Sequence, residues 1–392
     1  MYKMKNFLRT FPHLGPTISR FPAVSDTFWK AGIFKVGLRL ANHYANYAEM
    51  RWKRETLFSR PSHLVADVTN ICALRCPLCP TGKGEPGRKK GMMSLTTYKK
   101  IIDEMGRHLI SLDLFNWGEP LLNKDIYEMI AYAHRQNIVT SVSTNFQSFS
   151  ENDAERLISS GLDILILSID GASQESYEKY RVGGDFRKAI EHISILVKKK
   201  KEKGSARPYI CWQFLVMRHN EHEVEAAKKM AQDLGIDSIT IDHAYLLVTT
   251  REEGEKWLPS DPKNHRYDLK QLETRWKAIE EAHTVQPVAE KQQEAVAEMH
   301  DRPGEYVNVQ NNFHRRADCS WLWTQTTINW DGSVSPCCAV YAPSFDFDNI
   351  SETSFKKVWN NEKYRASRRF SSTGEAGGTI TVCMQCPLAL HG

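Results

Sequence analysis

The chain has 392 residues, of which 41% are hydrophobic and 25% charged, and a net charge of +5. This is more than one average domain holds and ample for a buried core. Its Lys and Arg are scattered rather than gathered into one stripe, which argues against a nucleic-acid partner. No run approaches the ~20 apolar residues of a membrane span. The N-terminal stretch 1–12 is basic but lacks the apolar centre of a signal peptide, so a cytoplasmic protein is expected. Thiols stay reduced in that compartment, and nine cysteines, most at short spacings, suggest metal ligation before disulfides.

Residues 1–60 read as an N-terminal helical extension. Trp29, Ile33, Val36, Leu40 and Tyr47 recur at near-helical spacing, with Lys30, Lys35, Arg39, Arg51, Lys53 and Arg54 around them. Such a stripe usually packs on its parent domain, although a basic amphipathic helix can also lie on a membrane surface. Residues 61–248 change to short apolar strands, expected at His63–Val68, Leu112–Asn116, Ile138–Ser143, Asp163–Ile169, Tyr209–Met217 and Ser238–Ile241. Helical patterns at Leu95–Leu109, Asp125–Gln136, Phe186–Lys200 and Glu221–Leu234 lie between them. Strands alternating with helices imply an α/β fold with a parallel sheet, here a partial (β/α)6 TIM-type barrel whose chemistry gathers at the strand C-terminal ends. The lysine run 198–201 reads as the solvated end of a helix, favoured by the dipole. Residues 249–318, rich in Glu, Lys, Gln and Pro, read as a bridging insertion with a helix near Leu269–His283. Residues 319–392 read as a small cysteine-rich appended domain.

The first predicted strand runs directly into Cys72-Ala-Leu-Arg-Cys76-Pro-Leu-Cys79, at the functional end of the sheet. Three thiolates at C-x3-C-x2-C spacing can hold three irons of a 4Fe–4S cluster and leave the fourth open. A structural zinc would need a fourth ligand, and the loop has none.

The loop and the segments after it resemble the radical S-adenosylmethionine enzymes. After the second strand, Asn116-Trp117-Gly118-Glu119-Pro120 is similar to the family's Gly-Gly-Glu-Pro segment, with Trp117 standing where a glycine is usual. The resemblance gives Gly118 and Glu119 to the methionine amino group, and a strand-end carboxylate suits an ammonium. Ser143-Thr144-Asn145 after the third strand and Ser168-Ile169-Asp170-Gly171 after the fourth match further family turns, Ser168 on the ribose side. Arg181, in Tyr180-Arg181-Val182-Gly183-Gly184, is the expected partner of the methionine carboxylate, and Gln213 and Leu215 are expected to flank the cofactor. Leu78 stands where an aromatic residue is more usual. The implied chemistry is reductive cleavage of S-adenosylmethionine to a 5′-deoxyadenosyl radical that abstracts hydrogen, fed by a flavodoxin- or ferredoxin-type donor; the protein binds, orients and excludes water.

A second cluster comprises Cys319, Cys337, Cys338 and the C-x2-C pair Cys383 and Cys386. Spacing alone fits a four-cysteine zinc site as well as iron–sulfur. The arrangement, with Gly332 five residues before Cys337 and the segments Asp348–Ile350 and Val358–Asn360 after it, resembles the SPASM extension of the same family. That implies one auxiliary 4Fe–4S cluster held by Cys319, Cys337, Cys383 and Cys386, since the family's further cysteines do not follow. Cys338 is a spare thiol, an alternative ligand to Cys337, or a hydrogen-atom donor. Cys211 reads as core, His243 and Tyr245 as structural or substrate-side, and Trp321, Trp323 and Trp330 as packing for the cluster domain.

Relatives of this architecture act on small molecules or on peptides. The N-terminal region lacks a winged-helix pattern, so epimerisation or dehydrogenation of a sugar or similar small substrate is the first expectation. Modification of a ribosomal peptide or protein side chain is the alternative, and a non-catalytic metal-binding scaffold is a third.

Overall fold

In the computed structural model the described residues are 32–265 except 86, 245, 247 and 248, residues 319–386 except 376 and 385, and positions 27, 30, 269, 270, 272–274, 276 and 277. Trp29, Tyr245 and most of the 249–318 segment with its expected helix therefore lie largely outside them, as does the side chain of Ile33.

Six strands follow the predicted order: β1 (His63–Ala66), β2 (Ser111–Asp113), β3 (Val139–Thr144), β4 (Ile164–Ser168), β5 (Tyr209–Val216) and β6 (Ser238–His243). Each pairs in parallel with the next. Helix α1 (Gly32–Arg51) precedes them, and α2 (Leu95–Met105), α3 (Ile126–Arg135), α4 (Glu151–Ser159), α5 (Gln174–Tyr180), α6 (Phe186–Glu202) and α7 (Val224–Leu234) cross between strands. Of these, α4 and α5 are short, and each is set by a serine N-cap, Ser150 and Ser173.

The C-terminal cysteine-rich segment joins the barrel sheet. Strand β7 (Gln325–Ile328) pairs in parallel with β1, and β8 (Ser333–Ser335) and β9 (Asp348–Asn349) continue antiparallel. The result is one unclosed sheet among the described residues, in the order β6-β5-β4-β3-β2-β1-β7-β8-β9. One continuous apolar cluster follows it, from Leu64, Val142 and Phe214 beneath the barrel helices to Ile328, Val334 and Trp359, with a separate one around Leu74, Tyr180 and Trp257. Two of the three tryptophans expected to pack the cluster domain join the first of these apolar clusters and also tie the domain to the rest: Trp323 Nε1 donates to the Arg54 carbonyl at 3.0 Å and Trp330 Nε1 to the Lys89 carbonyl at 3.1 Å. Packing inside the segment falls to Trp359 and Tyr364, with the buried Arg368 guanidinium 4.5 and 5.0 Å from their rings.

Helix α1 packs on the barrel as expected, but its basic residues do not all face water. Arg39 is buried and donates to the carbonyls of Asn137 at 2.5 Å, Gln136 at 2.9 Å and Gly106 at 3.0 Å. These are carbonyls at the ends of α2 and α3, left without helical partners. Helix α1 thus covers the strand N-terminal end of the barrel, opposite the cysteine loop.

Candidate active site

Strand alternation decides what the barrel presents inward. Leu64, Leu112, Val142, Leu167 and Phe214 point out into the core beneath the helices. Their neighbours His63, Asp113, Ser141, Ser143, Ser168 and Gln213 therefore share the inner face with Val65, Ile166 and Leu215. Towards the strand N-termini, His63 Nε2 meets Asp113 Oδ2 at 3.2 Å and Nδ1 meets Ser111 Oγ at 2.8 Å. Burial alone would push Asp113 up; the His63 ring and the Ser141 hydroxyl hold it below the ordinary carboxylate range. Towards the C-termini, Ser143 and Ser168 hydroxyls are 2.8 Å apart.

The cysteine loop leaves β1 and is pinned where it returns: Asn70 Nδ2 donates to the Lys89 carbonyl and Gly91 N to Asn70 Oδ1, both at 2.9 Å. A helical turn, Pro80–Lys83, follows Cys79. Gly82 there is obligatory, since a Cβ would stand 2.4 Å from the Cys76 carbonyl oxygen. The same reasoning fixes Gly118, whose Cβ would stand 2.0 Å from the Thr69 carbonyl oxygen.

These constraints form a cavity of about 600 Å³ lined by Cys72, Cys76, Cys79, Gly118, Glu119, Ser143, Ser168 and Arg181, among others. Gln213 and Leu215 are not in that lining; they sit half-buried further along the inner face of β5. A second cavity of about 730 Å³ shares Leu74, Glu119 and Asn145 and opens towards Gln147, Asp185 and Lys188.

Glu119 is buried, which raises its pKa against the pull of its donors. Oε1 accepts from Thr144 Oγ1 at 2.7 Å and Leu121 N at 3.1 Å, and Oε2 from Asn145 N at 2.8 Å. A carboxylate has about four acceptor positions, so Oε2 retains one for a further donor. The Trp117 side chain turns to meet the Tyr341 ring edge-on at 5.7 Å, while its backbone N–H donates to Asp67 Oδ1 at 3.2 Å. This accommodates an indole where the family pattern has glycine. Arg181 donates to Asp170, and its Nη1 lies 3.9 Å from Cys76 Sγ. The spacing of the motifs does not disclose Asp170 as the partner of Arg181, or Asp67 as the holder of the Trp117 turn.

The donor set fits an iron–sulfur cluster. Burial pushes the Cys72 thiol up to about 11 and also raises Cys76, with neighbouring thiols adding to both. Thiols gathered this closely ionise where a cationic centre compensates them. The second set converges likewise: burial and the thiols of Cys338, Cys383 and Cys319 raise Cys337, and burial with Cys319 and Cys386 raises Cys383. Cys338 stands beside Cys337 in this group and lines neither cavity. Cys211 is buried on β5, its Sγ 3.8 Å from Thr240 Oγ1. His243 ends β6, half-exposed.

Comparison with known proteins agrees with this geometry. The radical SAM superfamily model matches residues 67–234, and the SPASM iron–sulfur cluster-binding domain matches residues 319–387. The chain is similar to the PqqA peptide cyclase of Gluconobacter oxydans, 25% identical over 308 residues and 78% of each chain. It is also similar to the AdoMet-dependent heme synthase of Methanosarcina barkeri, 23% identical over 330 residues, 82% of this chain and 88% of that one. Among solved structures its fold resembles Streptococcus suis SuiB bound to S-adenosylmethionine, with a TM-score of 0.56 at 16% identity, covering 83% of this chain and 71% of that one. The chain is a radical S-adenosylmethionine protein with a C-terminal SPASM domain, and so of a family that uses S-adenosylmethionine and iron–sulfur chemistry.

Proposed function

We propose that this enzyme modifies a residue of a peptide, in the manner of a peptide maturase. The observation that carries the reading is the alignment with a PqqA peptide cyclase across 78% of both chains. The expectation of a sugar or small metabolite rested on a missing winged-helix pattern, and the relatives favour the peptide over it. The heme synthase, which aligns over 82% of this chain, keeps a small-molecule substrate as the second reading.

In this proposal Cys72, Cys76 and Cys79 hold a 4Fe–4S cluster with one open iron, and Cys319, Cys337, Cys383 and Cys386 hold an auxiliary one. A cluster held there would supply one electron for reductive cleavage of S-adenosylmethionine, the chemistry that this family uses to take a hydrogen atom from a substrate. The chain's own residues orient the reaction. Glu119 offers its remaining acceptor position to the methionine ammonium, Arg181 its charge to the carboxylate, and Ser143 and Ser168 their hydroxyls to the ribose. Cys338, next to an auxiliary ligand, is the candidate hydrogen donor if the product is inverted rather than oxidised. A flavodoxin- or ferredoxin-type protein would supply electrons.

The test is anaerobic turnover with S-adenosylmethionine and reductant on deuterated candidate peptides and sugars. Deuterium appearing in 5′-deoxyadenosine from a peptide alone supports the reading, and transfer from a sugar alone rejects it.

A further inference from the structure

Helix α1 has two faces, and the barrel uses one. Val36, Arg39, Asn42, His43, Asn46 and Glu49 are buried. The polar ones are engaged, for example Asn42 Nδ2 with the Arg60 carbonyl at 2.8 Å and Asn46 Nδ2 with Ser59 Oγ at 2.7 Å. The opposite face carries Phe34, Leu38 and Ala41, all exposed. Trp52 N still bonds the Ala48 carbonyl at 2.9 Å, which carries the helical path one residue further. Phe34 and Trp52 are then five turns apart, ~27 Å along one line. Phe58 follows, with the Arg54 guanidinium 5.6 Å from its ring.

Among the described residues, Phe34 at 84%, Phe58 at 83% and Trp52 at 70% are the three most exposed large hydrophobic side chains. All lie within residues 34–58. Single exposed apolar residues need no explanation, but a line of them does. Charge indicates what covers it. Lys35, Arg51, Lys53 and Arg54 are exposed, and Lys35 and Arg51 flank the apolar line about 100° to either side. The two acids of residues 32–60 are unavailable to balance them: Glu49 is buried against Phe58 N and Ser59, and Glu55 is paired with Arg369 at 2.6 Å. Aromatic residues on one line with cations on both flanks suit the headgroup level of an anionic bilayer. No helix among the described residues is long and apolar enough to cross a membrane, so the contact is one of lying on the surface.

We infer that the free face of α1, with Trp52 and Phe58, docks the enzyme on an anionic membrane surface. Because α1 covers the strand N-terminal end of the barrel, docking leaves the cysteine-loop end turned away from the lipid and open to an electron donor.

The test is flotation of the full-length protein with vesicles of phosphatidylcholine alone or with roughly one-third phosphatidylglycerol. The expected result is capture by the anionic vesicles at least about tenfold above the neutral ones, weakening as salt rises. The variant Phe34→Ser/Trp52→Ser/Phe58→Ser should lose about tenfold of that capture with its melting temperature unchanged. Lys35→Glu/Arg51→Glu/Lys53→Glu should lose it with the apolar face left intact. Absence of capture, or equal capture of wild type and both variants, overturns the inference. So does a wild-type dimer that the apolar variant converts to monomer without any change in vesicle binding, which would assign the face to a second copy.

Discussion

Arg181 donates its Nε–H to Asp170 Oδ2 at 2.6 Å, with the acid fully buried. The other carboxylate oxygen accepts from Leu215 N at 2.8 Å. Burial opposes the charge on Arg181, and Asp170 and the Cys76 thiol restore it. The guanidinium is therefore held as a cation at the cavity wall, tied through Asp170 to β5. Leu215 holds Asp170 through its backbone N–H, while its side chain packs against the cluster of Leu74, Cys76 and Tyr180.

Asp170→Asn should leave the fold close to intact but weaken S-adenosylmethionine binding by about tenfold, one charge-assisted contact being worth ~1.5–3 kcal/mol. Asp170→Ala, which strands a buried cation, should also cost ~3–5 kcal/mol of stability. Calorimetric titration of the cofactor and thermal melts separate the two. Unchanged cofactor affinity in Asp170→Asn would show that Arg181 does not depend on its partner.

Glu119 faces three donors, from Thr144, Asn145 and Leu121. In Glu119→Gln an amide N–H must confront at least one of them, which should cost ~1–3 kcal/mol and abolish measurable cofactor binding. Thr144→Val removes one donor and should show a smaller loss of stability, readable by urea unfolding. A Gln variant that binds the cofactor as wild type does would remove Glu119 from the proposed ammonium site.

Arg88 joins the cysteine loop to the SPASM segment. Buried, it donates to both oxygens of Asp346 at 2.8 and 2.9 Å, to Ser333 Oγ at 2.9 Å and to the Tyr341 carbonyl at 2.9 Å. Arg88→Met leaves Asp346 uncompensated and should destabilise by ~3–5 kcal/mol. Limited proteolysis should then open residues 331–346 first. Lys restores the charge but not the fork of donors and should recover part of the loss. A methionine variant as protease-resistant as wild type would contradict the bridge.

Asp67 supplies a pH dependence. Burial pushes its pKa up to about 7, against the Trp117 N–H, the Arg88 charge and the Gly118 N–H, which pull it down. In the unfolded chain the group ionises near 3.9. The folded state is thus penalised progressively as pH rises from about 4 to about 7, and not below that window. Relative to Asp67→Asn, wild type should lose stability over that range, by up to roughly 4 kcal/mol. Parallel melting-temperature curves for the two proteins from pH 4 to 8 would contradict it.

Much of this was legible in the residues. Apolar runs and their spacing mark the parallel strands, as in the largely buried His63–Ala66 and Tyr209–Val216, and even β6, which is half-buried throughout, keeps its apolar alternation in Ile239 and Ile241. The cysteine loop and Glu119 are legible because their chemistry demands residue types at fixed spacing. What stayed hidden depends on pairing between distant segments. Nothing near Gln325 announces that β7 will extend the sheet at β1, and nothing near Arg39 announces three carbonyls waiting beneath the barrel. The amphipathic reading of α1 found the stripe with Val36 and Leu40, but helical period alone does not say which of two apolar faces is covered.

The most direct measurement is iron content and low-temperature EPR of the anaerobically reconstituted protein, compared with the triple variant Cys72→Ala/Cys76→Ala/Cys79→Ala. Wild type should hold about eight irons per chain and show a reduced-cluster signal that shifts when S-adenosylmethionine is added. The variant should hold about four and show a signal indifferent to the cofactor. Full iron in the variant, or a wild-type signal that S-adenosylmethionine leaves unmoved, would contradict an open-iron cluster on the Cys72–Cys79 loop.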